Sequence, residues 1–197
     1  LGLNSKYIQF FPDIDDFKSL KTSFNKLSGF FWQRTSQITW RHVKNLIAHT
    51  EFNNIHIHAA IDPPGYEFIE PNEEERRKYN ISISEWFEHR EDYFYVASKA
   101  NVFFAPRPYE GIGMSFLEAM AMGKCVVAPD NPTMNEYITH GVNGYLYDIN
   151  DPQPIDFSNA KMIGRNAREY IYYGRRLWME QQREILDFIV KPADAIQ

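Results

Sequence analysis

The chain has 197 residues, 44% hydrophobic and 24% charged, which suits one globular domain with a substantial core and excludes a disordered chain. Its net charge of −5 argues against a general nucleic-acid binder, which needs a basic face. No stretch approaches the ~20 apolar residues of a membrane span, and one cysteine, Cys125, excludes an internal disulfide.

Taken in order, residues 1–28 are mixed. Tyr7 to Phe11 is a short apolar-leaning run ended by Pro12, and Phe17, Leu20, Phe24 and Leu27 fall at the spacing of a lead-in helix. The chain opens on Leu1 with no basic-then-apolar leader, which reads as a fragment or a processed product. Phe30 to Gln33 is the first predicted strand, with Arg34 at its end and a helix from Trp40 to His49 beyond it. A strand end feeding a helix start is prone to bind anions. Asn54 to Ala60 alternates as the second strand. It puts His56 and His58 on one face, where packing is favoured over metal ligation because no third ligand lies near in sequence. Asp62-Pro63-Pro64-Gly65 is a turn, and the charged run EPNEEERRKYN is a solvated helix or loop. A third strand lies around Ile81 and Ile83. Trp86 favours the core by its size but has the face to stack on a base, and a short helix follows from Asp92 to Ala100.

The residues from Asn101 to Tyr147 carry the chemistry. Val102 to Ala105 reads as a buried strand and Met114 to Met122 as a helix closed by Gly123. Cys125 to Ala128 reads as the next strand, with Pro129 stopping it. Strand, loop, helix, strand within about thirty residues is a βαβ unit, and in open α/β sheets ligands sit beyond the carboxyl ends of the strands. Glu110 to Ser115 would lie there. Gly111 and Gly113 let a ligand approach the backbone, and the helix N-terminus adds partial positive charge, so the loop suits a diphosphate. Carboxylates only accept hydrogen bonds, so Glu110 and Glu118 suit pairs of sugar hydroxyls. Two acids around a diphosphate loop match a sugar nucleotide. Taken singly, the glycines read equally as turn residues and Glu110 as a helix N-terminal acid. Glu118 is different: it sits in a helix apolar on most sides, and a buried carboxylate needs a partner. Past Tyr147, the two prolines of DINDPQPID mark a linker, and residues 158–190 read as one or two long helices with a break at Gly174.

Glu110, Gly111, Gly113, Glu118 and the run EAMAMGKCVVAPD resemble the signature of retaining glycosyltransferases of family 4, which have the GT-B fold. Pro132, Glu136 and Gly141-Val142-Asn143-Gly144 extend the likeness. The resemblance implies a Rossmann-like three-layer α/β domain with a mainly parallel sheet, the C-terminal donor-binding half of such an enzyme. Residues 1–28 would be the interdomain segment, 29–157 the nucleotide-sugar-binding core and 158–197 the C-terminal helices of the same domain. It implies transfer of a hexose from a nucleoside diphosphate sugar with retention of configuration and without a metal ion or other cofactor. Glu118 would hold the ribose, and Glu110 the transferred sugar. The amides of Gly111, Ile112, Gly113, Met114 and Ser115 would face the diphosphate, and Arg34 would grip it. The family's partnering lysine has no match at the expected spacing, which leaves Arg41 or Lys44; the base would lie near Trp86 to Arg90. The expected partners are a nucleotide sugar and an N-terminal acceptor domain missing from this sequence, which by itself is then expected to be inactive. The expected site is cytoplasmic, with peripheral contact at the inner face of a membrane left open through that missing half. A sugar-nucleotide epimerase of the same architecture and a non-catalytic carbohydrate-binding domain are the alternatives. A nicotinamide-binding domain is disfavoured, because no G-x-G-x-x-G follows the first strand.

Overall fold

A computed structural model describes residues 5–20, 22–62 and 65–190. Six strands form one sheet: β1 (Ser28–Trp32), β2 (Asn54–His58), β3 (Ile81–Ser84), β4 (Val102–Phe104), β5 (Cys125–Pro129) and β6 (Tyr145–Tyr147). Their order is β3-β2-β1-β4-β5-β6, and every pairing is parallel. The order reverses between β1 and β4, which leaves a crevice beyond their carboxyl ends. The helices are α1 (Trp40–Leu46), α2 (Glu73–Lys78), α3 (Arg90–Ser98), α4 (Met114–Ala121), α5 (Met134–Tyr137) and α6 (Ala160–Val190). The result is the expected three-layer α/β fold.

Strand alternation explains the layering. Phe30, Phe103 and Val126 bury on one face with Phe116, Leu117 and Met120 of α4; Phe31, Phe104 and Val127 bury on the other with Trp40, Val43 and Leu46 of α1. Each fully buried Phe contributes roughly 1.5–3 kcal/mol. Cys125 is a buried free thiol, as expected. Buried Asn101 ties the sheet to the lead-in segment: its amide donates to the carbonyls of Ser23 and Lys26, and its oxygen accepts from the Ser28 amide. Asn143 does the same for the turn before β6, donating to the Tyr137 carbonyl and accepting from the Thr139 amide. This accounts for the Asn of the Gly141–Gly144 run.

Four local expectations need correction. The lead-in helix is absent among the described residues: a single 3₁₀ turn at Ile14–Phe17 is followed by irregular chain, because Phe11 and Phe17 bury separately against the domain. Gly174 does not break the last helix, which runs 31 residues without interruption. Its role is close approach, since a Cβ there would stand 2.2 Å from the Phe11 ring. Trp86 is not core but 61% exposed. β5 runs one residue further than expected and ends on Pro129 itself.

Candidate functional site

Loops after four strands converge on the crevice at the switch point. Arg34 follows β1, Asp62 follows β2, Trp86 follows β3, and Arg107 and Glu110 follow β4. A hollow of about 400 Å³ lies there, walled by Arg34, Met114, Ser115 and Glu118 together with an aromatic group that includes Trp32, Trp86 and Tyr93. That size suits a small-molecule site. The rings brace one another: Trp32 meets Trp86 edge-on at 6.2 Å, and Tyr93 lies 5.5 Å from Trp32. His58 stacks on Phe87 at 4.9 Å and shares the Ser84 hydroxyl through Nδ1.

The helix of α4 begins at Gly113, whose φ of 76° is left-handed and whose Cβ, if present, would strike the Phe116 ring at 2.0 Å. Only glycine adopts that geometry without strain. Thr133 pins the loop ahead of it, its hydroxyl donating to the carbonyls of Glu110 at 2.6 Å and Gly111 at 3.1 Å. The backbone N–H groups of Gly111 to Ser115 donate to no other described residue. Gly111 and Ile112 are exposed, and Met114 and Ser115 face the hollow.

Glu118 lies one turn into α4 and its side chain is 8% exposed. Oε1 accepts from the Arg90 guanidinium at the start of α3, while Oε2 accepts from no described residue. Burial pushes its pKa up, and Arg90 opposes that shift. Glu110 is likewise raised by burial, with Arg107 and Arg34 pulling it down. It does not wall the 400 Å³ hollow. It sits beside it, 3.9 Å from Arg107. Arg107 in turn reaches Asp62 at 3.4 Å, and Asp62 accepts from Arg34 at 2.9 Å. Arg34 also lies over the Trp32 ring, 4.6 Å from its centroid.

The structure therefore brings Arg34, Met114, Ser115 and Glu118 together, with Glu110 linked through Arg107 and Asp62. Neither substitute for the family lysine joins them. Lys44 is ion-paired with Glu75 of α2, and Arg41 lines a separate hollow with Asn45 and Asp151. Sequence reading missed Asp62, Arg107 and Tyr93 as site residues, and touched Arg90 only as the edge of the base region. Their loops meet only because β1 pairs with β4, which no local pattern announces.

The fold is shared with solved glycosyltransferases. Sucrose-phosphate synthase from Thermosynechococcus elongatus matches 91% of this chain and 50% of its own, with TM-score 0.58 and 18% identity. The C-terminal domain of a glycosyl transferase group 1 family protein (LpcC) from Francisella tularensis matches 82% of this chain and 97% of its own, with TM-score 0.57 and 13% identity. Anabaena Alr3699/HepE, solved in complex with UDP-glucose, matches 92% of this chain and 56% of its own, with TM-score 0.57 and 17% identity. These likenesses carry the fold, that of one half of a GT-B glycosyltransferase. In sequence, alpha-maltose-1-phosphate synthase of Mycolicibacterium smegmatis is 35% identical over 94 residues, 44% of this chain and 24% of that protein. The chain thus matches about a quarter of that relative's length and half of the sucrose-phosphate synthase. The family model of "Glycosyl transferases group 1" matches residues 73–176, more than half of the sequence, so the chain belongs to that family.

Proposed function

We propose that this chain is the donor half of a retaining family 4 glycosyltransferase, and that the whole protein moves a hexose from a nucleoside diphosphate sugar to an acceptor. One observation carries the reading: Arg34, Ser115 and buried Glu118 surround one hollow with an aromatic wall at the switch point of the sheet. In this reading the base enters the aromatic side of the hollow near Trp86. The ribose diol donates to the free oxygen of Glu118, whose other oxygen is already held by Arg90. The diphosphate lies over the unpaired amides of Gly111 to Ser115, within reach of Arg34, and the hexose sits toward Glu110. As the glycosidic bond to the diphosphate breaks, negative charge grows on the leaving oxygen, and prearranged donors meet it without a metal ion. Holding donor and acceptor in register supplies much of the remaining rate.

The other half of the enzyme would supply the acceptor site. No helix among the described residues is long and apolar enough to cross a membrane. We place the protein in the cytoplasm, with any membrane contact made through that other half.

Thermal unfolding with a panel of nucleoside diphosphates and nucleotide sugars tests the reading. A bound ligand raises stability by mass action, about 2.7 kcal/mol at a hundred times its Kd, and the midpoint rises with it. A protective UDP-, GDP- or ADP-sugar supports the reading; no protection by any of them at millimolar concentration overturns it.

A further inference from the structure

The donor reading leaves the diphosphate with a single cation, Arg34, since Lys44 and Arg41 are committed elsewhere. A second guanidinium stands opposite it. Phe31 of β1 and Phe104 of β4 are register partners, and Arg34 and Arg107 each follow three residues later. The two arginines therefore follow the two strands where the sheet order reverses: Arg34 walls the 400 Å³ hollow, while Arg107 and Asp62 line a second one of about 350 Å³ with Thr35 and Tyr109. One carboxylate holds both: Asp62 Oδ2 lies 2.9 Å from Arg34 and 3.4 Å from Arg107. Both side chains are mostly covered, 24% and 29% exposed, and the Nε of each is buried without a partner among the described residues. Arg107 approaches Glu110 only at 3.9 Å, too far for a hydrogen bond, so donors on its fork are uncommitted.

A paired, partly desolvated guanidinium fork is the side-chain arrangement best matched to phosphate oxygens. Asp62 and Glu110 together balance the two positive charges, but Glu110 stands too far off to accept a hydrogen bond, so the forks keep donors free for a further set of oxygens. We propose that Arg107 is the second diphosphate-binding cation, acting across the crevice from Arg34, and that Asp62 is the positioning residue that aims both. The proposal rests on the donor reading above. It adds that the cation comes from the loop after β4 rather than from the helix after β1. It also ties donor and sugar subsites together, because Arg107 is the link between Asp62 and Glu110.

The test is titration calorimetry of UDP, GDP, UMP and GMP against the wild-type chain and the Arg107→Gln and Arg107→Lys variants, with unfolding midpoints measured alongside. For the nucleotide that wild type binds, Arg107→Gln is expected to weaken the diphosphate about tenfold or more, the loss of one charge-assisted contact. The monophosphate should change less than about threefold, because the distal phosphate carries the contact. Arg107→Lys should fall between, since it keeps the charge and loses the fork. It carries the test alone if the glutamine variant does not fold. A wild-type diphosphate affinity in the variant that folds overturns the proposal while leaving the donor reading intact. Equal losses for mono- and diphosphate also overturn it, because they mark a structural role. If the wild-type chain binds none of the four, ADP and AMP take their place in the same titrations; if it binds none of the six, the donor reading fails and takes this proposal with it.

Discussion

Glu118 shows how a single side chain divides its work. One oxygen is spent on Arg90 and the other accepts from no described residue, so removing the carboxylate deletes a receptor for a diol while freeing only a 68%-exposed arginine. Glu118→Ala is therefore expected to weaken UDP or GDP binding by about tenfold or more, the worth of hydrogen bonds to a charged acceptor. Glu110→Ala should matter less for free diphosphates, because Glu110 stands beside the hollow, toward the place proposed for the sugar. Calorimetry of both variants checks the ranking, and a reversed order would mean that the two acids have exchanged roles. Trp86 illustrates the opposite case. Its bulk favours burial, yet it stands exposed at the rim, because Trp32 and Tyr93 already occupy the space beneath it.

The element that joins chemistry to stability is β2. His56 stacks against Phe30 and bonds the hydroxyls of Ser82 and Ser84, while His58 is 2% exposed. Burial pushes both imidazoles down to about 4, with Lys99 adding to the effect at His56 and the neighbouring ring at His58. A depressed folded pKa means stability that is present above the ordinary value of 6.5 and lost as pH falls from there toward 4. The loss is on the order of 2–3 kcal/mol per ring at most. Urea unfolding across that window should show a steep acid limb, and the His56→Asn/His58→Asn double variant should flatten it. Elsewhere in the fold, α6 runs unbroken through Gly174. Gly174→Ala would ordinarily gain about 1 kcal/mol of helix propensity. Here the new methyl meets the buried Phe11 ring, and a net loss of roughly 1–3 kcal/mol is expected in equilibrium unfolding. The exposed control Arg176→Ala should stay within about 0.5 kcal/mol of wild type.

Across the whole molecule, the described residues wall the hollow with side chains of β1, β2, α3 and α4 and the loops beside them. The second half of α6 also leaves Leu177, Leu186 and Ile189 exposed. On the proposed reading, in which another half holds the acceptor, the chain alone is expected to bind nucleotide but to transfer no sugar. A radiolabelled-sugar transfer assay beside the binding measurement checks this. Turnover by the isolated chain would show that one half of the cleft suffices.

What the sequence determined by itself was whatever neighbouring residues dictate. Alternation placed β2 and short apolar runs placed β1, β4 and β5, each to within two residues, while β3 was located around Ile81 and Ile83 without its ends. The Gly113 turn and the apolar body of α4 identified the loop and its buried acid, because a charge among Phe116, Leu117 and Met120 demands a partner wherever the chain goes. Tertiary structure alone decided the rest. Which strands are neighbours depends on contacts between residues far apart in the chain, and only the pairing of β1 with β4 sets Arg34 opposite Arg107. The partner of Glu118 and the neutralisation of Lys44 by Glu75 were likewise invisible, since charges declare their partners through space and not along the backbone. The lead-in helix failed for the same reason. Its spacing was helical, but burying Phe11 and Phe17 against a formed domain removes more apolar surface from water than one short helix could.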